Sequence, residues 1–251
     1  MDFTVVTYEK LLDALIRQGY AFQTYNDFIK TPSLRAIVLR HDVDLLAFHS
    51  LRFAKIQAQH NVKGVYYFRA VPESWNEDVI KEISAMGHEI GYHYECLTTC
   101  KGNFEKAFED FKKNLEALRK LAPVTTICMH GSPASKYDSK DLWKKYDYKE
   151  LGIIAEPYFD TDFNKVFYLT DTGRRWDGHK VSVRDKVSSS QFNFSFHTTQ
   201  QIIDSCNSGK LPQQIMFTFH PQRWNNNAFL WTKELIIQNL KNEVKRFVVK
   251  K

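Results

Sequence analysis

Short apolar runs alternate with amphipathic stretches along most of the chain. Apolar residues at every third or fourth position predict helices, whereas short β-branched and aromatic runs bounded by polar residues predict buried strands. The clearest helix covers 103–122, where phenylalanine and leucine recur at helical spacing from Phe104 to Leu121. Helices are predicted at 7–20, 47–61, 76–87, 103–122, 138–152, 198–209 and 229–247, and strands at 36–39, 63–72, 88–95, 124–133, 165–173 and 213–220, with 177–197 open to further strands.

This alternation of strands and helices predicts right-handed crossovers, and therefore a parallel sheet. Six or seven such strands favour a closed or nearly closed (β/α) barrel, with an open doubly wound sheet as the alternative. The chain has no linker, internal repeat or low-complexity segment. We therefore expect a single domain over 1–251, with a helical extension at 1–33.

Composition narrows the class of protein. The 251 residues are 43% hydrophobic and 25% charged, which is typical of a soluble globular protein with a sizeable core. The formal net charge is +6, but the basic residues are spread along the chain, so a nucleic-acid binder is not indicated. No run approaches the ~18 apolar residues of an integral membrane segment. The start of the chain lacks a secretory pattern, and four cysteines in this length indicate reduced thiols, so we expect a cytoplasmic protein. Nothing here indicates its oligomeric state.

Ionisable residues gather at the ends of the predicted strands. The stretch AIVLRHDVDLL (36–46) passes from four apolar residues to four ionisable ones within five positions. Buried charges are costly unless they pair, hydrogen-bond or bind a metal. Because the carboxyl ends of barrel strands meet on one face, we expect these groups to converge there. Such N and O ligands suit a divalent cation such as zinc, beside a general base. The set comprises Asp42, Asp44, His93, Glu95, His130 and His220.

Other features are weaker. The segment LTDTGRRWDG (169–178) places Arg174 beside Trp176, a pair suited to an anionic or sugar group, with an ion-paired loop as the alternative. Cys96 and Cys100 match no common zinc spacing and are predicted to be isolated cysteines. The chain has no glycine-rich phosphate-binding loop and no nucleophile elbow, so a serine hydrolase is not indicated.

Three motifs carry a resemblance to a known family. RHDVD (40–44), GHEIGYH (87–93) and TFH (218–220) resemble the motifs of the polysaccharide deacetylase superfamily, a group of carbohydrate esterases with the NodB-homology fold. Their order covers roughly residues 36–224 and points to a divergent member. The resemblance implies an α/β fold, a distorted (β/α)7 barrel of parallel strands. It also implies metal-dependent removal of acyl groups from amino sugars.

The resemblance also implies roles for individual residues. In the first motif, Asp42 corresponds to the general base and Asp44 to a metal ligand. His93, in the second motif, corresponds to a metal-binding histidine. His220, at the late strand end, corresponds to the general acid that protonates the departing amine. One divalent ion, expected to be zinc, would serve as cofactor.

Several positions depart from the family pattern. Val43 separates two acids that are adjacent in most members of the family. Leu97 stands four residues after His93, where most members have a second histidine. The third ligand would then be Glu95 or His130, and both stay open. The family's Arg-x-Pro segment is replaced by HGSP (130–133), so Arg40 is the candidate to orient the base.

The sequence therefore predicts a metal-dependent hydrolase of carbohydrate metabolism that removes the N-acetyl group from an amino sugar. With a cytoplasmic location, the expected substrate is a sugar nucleotide or a surface-polysaccharide precursor. One alternative is hydrolysis of another non-peptide C–N bond. A second is a catalytically degenerate carbohydrate-binding barrel, which Leu97 favours and the presence of Asp42, His93 and His220 opposes.

Overall fold

The structure, a computed structural model, describes residues 1–132, 135–176, 187 and 191–249. Seven strands and nine α-helices lie within these ranges. The strands are β1 (Ala21–Gln23), β2 (Ala36–Val43), β3 (Val65–Phe68), β4 (Glu89–Tyr94), β5 (Ile127–Met129), β6 (Val166–Thr170) and β7 (Gln214–Phe219). The helices are α1 (Val5–Arg17), α2 (Tyr25–Lys30), α3 (Ala47–Gln59), α4 (Glu77–Ala85), α5 (Cys96–Thr99), α6 (Phe104–Arg119), α7 (Pro157–Asp160), α8 (Thr199–Asn207) and α9 (Ala228–Val249).

Every pairing in the sheet is parallel, and the strand order is β5-β4-β3-β2-β7-β6. Strand β1 lies off this path, beside the first residues of β2, while β3 pairs with the last residues of β2. The segment 1–33 thus contributes a strand as well as two helices. The sheet curls into part of a barrel with helices around it, so the predicted α/β fold, a distorted (β/α) barrel of parallel strands, is confirmed.

Side-chain alternation separates two cores. Along β2, Ile37 and Leu39 belong to the larger apolar core, which also contains residues of α1, α3, α4, α6 and α8. Ala36 and Val38 point to the opposite, inner face and join a smaller core. Because successive strand residues alternate between faces, the following even-numbered residues of β2 continue on the inner face. The apolar start of this strand therefore directs its polar end into the barrel.

Two predicted segments differ from the structure. Over 138–152 the chain forms two 3₁₀ helices, Ser139–Lys144 and Tyr148–Leu151, instead of one α-helix. Asp138 and Asp147 each cap one of these helices, because each side chain accepts a hydrogen bond from the backbone N–H two residues later in the chain. The second cap begins a new 3₁₀ helix. Residues 191–197 form no strand, and the rest of 177–197 apart from Val187 lies outside the described residues. None of the described helices is long and apolar enough to cross a bilayer.

Candidate metal and acid–base site

Three side chains from three segments converge at the carboxyl ends of β2, β4 and β5. The Nε2 atoms of His93 and His130 each lie 3.6 Å from Oδ1 of Asp44. One ligand atom from each of the three residues lies within 4.8 Å of the others. Two imidazoles and a carboxylate form a donor set that suits zinc and leaves coordination positions open for water and substrate.

Hydrogen bonds direct both imidazoles toward this point. His93 Nδ1 donates to the Cys128 carbonyl over 2.9 Å, and His130 Nδ1 donates to Glu95 Oε2 over 2.9 Å. Each Nε2 atom then carries the free lone pair that a metal-binding histidine requires. Burial lowers the pKa of His93 to about 4, against the raising effect of Asp42, so this imidazole is neutral near pH 7.

Asp44 supports a cation at the same point. Its Oδ1 atom is buried and has no hydrogen-bond partner. Burial raises the pKa of Asp44, but His130, His220 and His93 more than offset it, and the carboxyl stays ionised. A buried carboxylate oxygen without a donor costs free energy unless a cation satisfies it. The donor set, the imidazole orientations and this oxygen all fit a divalent metal.

Asp42 lies beside this cluster and is held by an arginine of its own strand. Arg40 donates from Nε to Oδ1 over 2.8 Å and from its terminal nitrogen to Oδ2 over 2.7 Å. Burial raises the pKa of Asp42, but the Arg40 guanidinium more than reverses this, and the pKa falls to about 2. His93 Nε2 lies 3.6 Å from Asp42 Oδ2. Arg40, the candidate to orient the predicted base, therefore contacts Asp42, because positions two apart share a strand face.

His220 lies next to Asp44 and is fixed by Asp171. Its Nε2 is 3.8 Å from Asp44 Oδ2, and its Nδ1 donates to Asp171 Oδ1 over 2.6 Å. Burial and Arg223 lower the pKa of His220, but Asp171 and Asp44 together outweigh them and raise it. The raised pKa favours the protonated imidazole more than in a free histidine, and Nε2 faces Asp44 Oδ2.

Comparison by sequence finds no relative: no protein-family model matches the chain, and no curated protein matches it. Solved structures do match. A family 4 carbohydrate esterase from Bacillus anthracis has a TM-score of 0.44 at 12% identity, covering 93% of this chain and 85% of that one. A Streptococcus mutans CE4 esterase has a TM-score of 0.47 at 13% identity, covering 93% and 90%. In fold, this chain is similar to these two esterases.

One matching structure is a CE4 family pseudoenzyme from Bacillus anthracis, with a TM-score of 0.45 at 11% identity. The match covers 86% of this chain and 63% of that one. The chain therefore spans less than two thirds of the length of that pseudoenzyme.

The structure shows what lies at the positions where the chain departs from the polysaccharide deacetylase motifs. Leu97, at the position of the second motif histidine, is 2% exposed and belongs to the larger apolar core. His130 brings an imidazole to the cluster from the end of β5 instead. Glu95 points to the same region, but its oxygens accept hydrogen bonds from Arg69 and His130. The geometry therefore places His130, rather than Glu95, in the cluster with Asp44 and His93.

Asp171 is the site residue whose part was not recognised from the sequence. It follows β6, and its carboxylate accepts hydrogen bonds from the His220 backbone and imidazole, Arg223 and Trp224. The sequence contains a signal for it, because LTD places a polar residue near the end of the predicted strand 165–173, as in the other site segments. Only the fold shows that β6 pairs with β7 and brings Asp171 next to His220.

The placement of Arg174 and Trp176 does not support their predicted role in substrate binding. Trp176 is 4% exposed, and its indole Nε1 donates to Thr199 Oγ1 over 2.9 Å within the core. Arg174 is 7% exposed, lies over the Trp231 ring at 4.5 Å and donates to the Trp231 carbonyl. Both side chains are enclosed by protein, because Arg174 packs against Trp231 of α9 and Trp176 against Thr199 of α8.

Proposed function

We propose that this protein is a metal-dependent hydrolase that removes the N-acetyl group from an amino sugar. The observation that carries the proposal is the convergence of Asp44, His93 and His130 on one point, with Asp42 3.6 Å from His93 and His220 3.8 Å from Asp44. The motifs around Asp42, His93 and His220 resemble those of polysaccharide deacetylases and supply the substrate class. A binding protein would need no such pairing of acid, base and metal ligands.

Asp44, His93 and His130 would hold the ion, expected to be zinc. Bound there, a divalent metal supplies a Lewis acid that polarises the amide carbonyl of the substrate. His93 and His130 would each contribute Nε2, because their Nδ1 atoms are committed to Cys128 and Glu95. Asp44 would contribute Oδ1, the buried oxygen without a hydrogen bond.

Asp42 and His220 divide the proton transfers. Asp42 is ionised and held in place by Arg40, so it accepts a proton from the water that attacks the carbonyl carbon. The C–N bond then breaks as His220, protonated and held by Asp171, donates a proton to the leaving nitrogen. The products are acetate and the free amino sugar.

Metal content and acetate release test the proposal together. The wild type, incubated with zinc and dialysed, should retain near one equivalent, whereas His93→Ala and His130→Ala should lose it together with activity. Acetate release should be assayed on N-acetylated sugar nucleotides and on N-acetylated amino-sugar oligomers, which represent surface-polysaccharide precursors. His220→Gln should keep the metal and slow turnover by roughly 10²–10⁴-fold, the usual contribution of a general acid.

The controls separate the alternatives. His60→Ala removes a half-exposed histidine outside the cluster and should change neither metal content nor turnover. Two results would contradict the proposal: a wild type that binds no zinc, and a His93→Ala variant that keeps it. Metal binding and sugar binding without acetate release would instead favour the carbohydrate-binding barrel.

A further inference from the structure

Glu95 lies directly behind His130, at the carboxyl end of β4. Its Oε2 accepts a hydrogen bond from His130 Nδ1 over 2.9 Å and a longer one from Ser132 over 3.3 Å. Its Oε1 accepts two hydrogen bonds from Arg69, over 2.8 Å from Nε and over 2.6 Å from a terminal nitrogen. Both carboxylate oxygens therefore have fixed donors, and the side chain is only 12% exposed.

Arg69 connects this carboxylate to another ligand segment. Besides its two bonds to Glu95, the guanidinium donates to the backbone carbonyl of Asp44 over 3.1 Å. One arginine thus holds both the carboxylate behind His130 and the backbone that carries Asp44. Arg69 offers only donors, so the oxygen of Glu95 that faces it cannot be exchanged for a donor group.

The direction of the His130–Glu95 hydrogen bond decides which imidazole nitrogen is free. An ionised carboxylate is an acceptor only, so the ring nitrogen that faces it must carry the proton. In the neutral imidazole, Nε2 of His130 is then unprotonated, and this atom lies 3.6 Å from Asp44 Oδ1. A residue that accepted no hydrogen bond here would let the proton move to Nε2 and close that lone pair to a cation.

We propose that Glu95, held by Arg69, is a positioning residue that fixes His130 in the Nδ1–H tautomer and so presents Nε2 to the cation. The inference rests on the proposed function for its link to the metal. The tautomer, however, is a property of the metal-free chain. This positioning explains how the imidazole that follows β5 can present Nε2 to the cation, although Leu97 occupies the motif position.

The substitution Glu95→Gln tests this by reversing the hydrogen bond. Because Arg69 can only donate, the amide oxygen of the substituted side chain should stay on the guanidinium, and its NH₂ group should face His130. Nδ1 must then accept, and the proton moves to Nε2. We expect ¹⁵N NMR of the metal-free protein to show His130 as Nδ1–H in the wild type and as Nε2–H in the variant. His130→Asn assigns the signals.

Zinc affinity gives the second readout. Glu95→Gln should weaken zinc binding about 10–100-fold at pH 7.5, the usual effect of losing the hydrogen-bond partner of a metal-binding histidine. The matched control is Arg69→Met, which removes the ion pair but leaves the carboxylate acceptor. It should keep His130 as Nδ1–H, whereas a purely structural role of the Glu95–Arg69 pair would make both variants alike.

The outcomes distinguish this inference from the proposed function. An Nε2–H tautomer in the wild type overturns the inference even if Glu95→Gln fails to fold. An unchanged tautomer and zinc affinity in a folded Glu95→Gln variant also overturn it, while the metal site and its activity stand. If the tautomer inverts as expected but the wild type binds no zinc, Glu95 positions His130 and the proposed function is wrong.

Discussion

At the scale of single residues, two buried carboxylates next to the candidate metal cluster, Asp42 and Asp171, have hydrogen-bond partners on both oxygens. Asp171 is fully buried and accepts hydrogen bonds from the His220 backbone and imidazole, from Arg223 and from Trp224. Asp42 is satisfied by the two-point contact with Arg40. Such pairs add little net stability, but removing one partner leaves a buried charge uncompensated, which is strongly destabilising.

Asp171→Asn should therefore destabilise the fold as well as misplace His220. The asparagine side chain has a single acceptor oxygen, whereas the two oxygens of Asp171 share four donors. Its NH₂ group would face Arg223, Trp224 or the imidazole. We expect a loss of about 3 kcal/mol in the free energy of unfolding, measured by urea denaturation. Asp13→Asn, at a half-exposed aspartate of α1, should change it by less than about 0.5 kcal/mol. Equal effects of the two substitutions would contradict this reading of Asp171.

At the scale of secondary-structure elements, periodicity and capping explain most of the helices. Helix α6 buries Ala107, Phe111, Leu115 and Leu118 on one face, as the pattern of its sequence predicts. Asn103 caps it by accepting a hydrogen bond from the Lys106 backbone over 2.9 Å. The first turn of a helix leaves backbone donors without partners, so this cap stabilises α6 directly.

Asn103→Ala should lower the free energy of unfolding by about 1 kcal/mol, because the Lys106 amide loses its acceptor. Lys113→Ala, on the exposed face of the same helix, is the matched control. It should stay within about 0.5 kcal/mol of the wild type, since alanine is a good helix former and no buried contact is lost. Urea unfolding of the two variants measures the difference, and indistinguishable midpoints would count against the cap.

Short elements are where the sequence-based predictions were least accurate. Strand β1 has three residues, too few for an alternating pattern, and it exists because Ala21–Gln23 pair with Ala36–Val38 of β2. Over 138–152 the apolar spacing is helical, but aspartate side chains cap two separate 3₁₀ helices instead. Both differences arise from hydrogen bonds that compete with the pattern on which the predictions depended.

At the scale of the whole molecule, buried carboxyl groups outside the candidate site make stability depend on pH. Glu156 is fully buried, and its oxygens accept hydrogen bonds from the backbones of Met129 and Tyr158. Burial raises the pKa of Glu156 to about 7, although the two hydrogen bonds and Arg40 lower it. Burial likewise raises the pKa of Glu89 to about 7. The folded chain therefore binds protons that the unfolded chain has lost between about pH 4.5 and pH 7.

The contribution of Glu156 to the free energy of unfolding is therefore fully present below the unfolded pKa, and it is lost as the pH rises through 7. We expect Glu156 to remove on the order of 3 kcal/mol of stability between pH 5 and pH 8. Glu156→Gln, which cannot ionise, should make the free energy of unfolding fall less steeply over that range. Urea denaturation at pH 5, 6, 7 and 8 measures the slope. Glu150→Gln, at an exposed glutamate nearby, should leave it unchanged, and a wild-type slope in Glu156→Gln would refute the assignment.

The class of fold and most side chains of the candidate site could be predicted from the amino-acid sequence. Strand and helix periodicity depends on neighbouring residues, and polar residues at the ends of apolar runs are visible in the chain. Which of these groups meet is a property of the folded chain. His130 reaches Glu95 across 35 positions of sequence, and Asp171 reaches His220 across 49. Such contacts follow from strand order and register in the sheet, which no local pattern encodes.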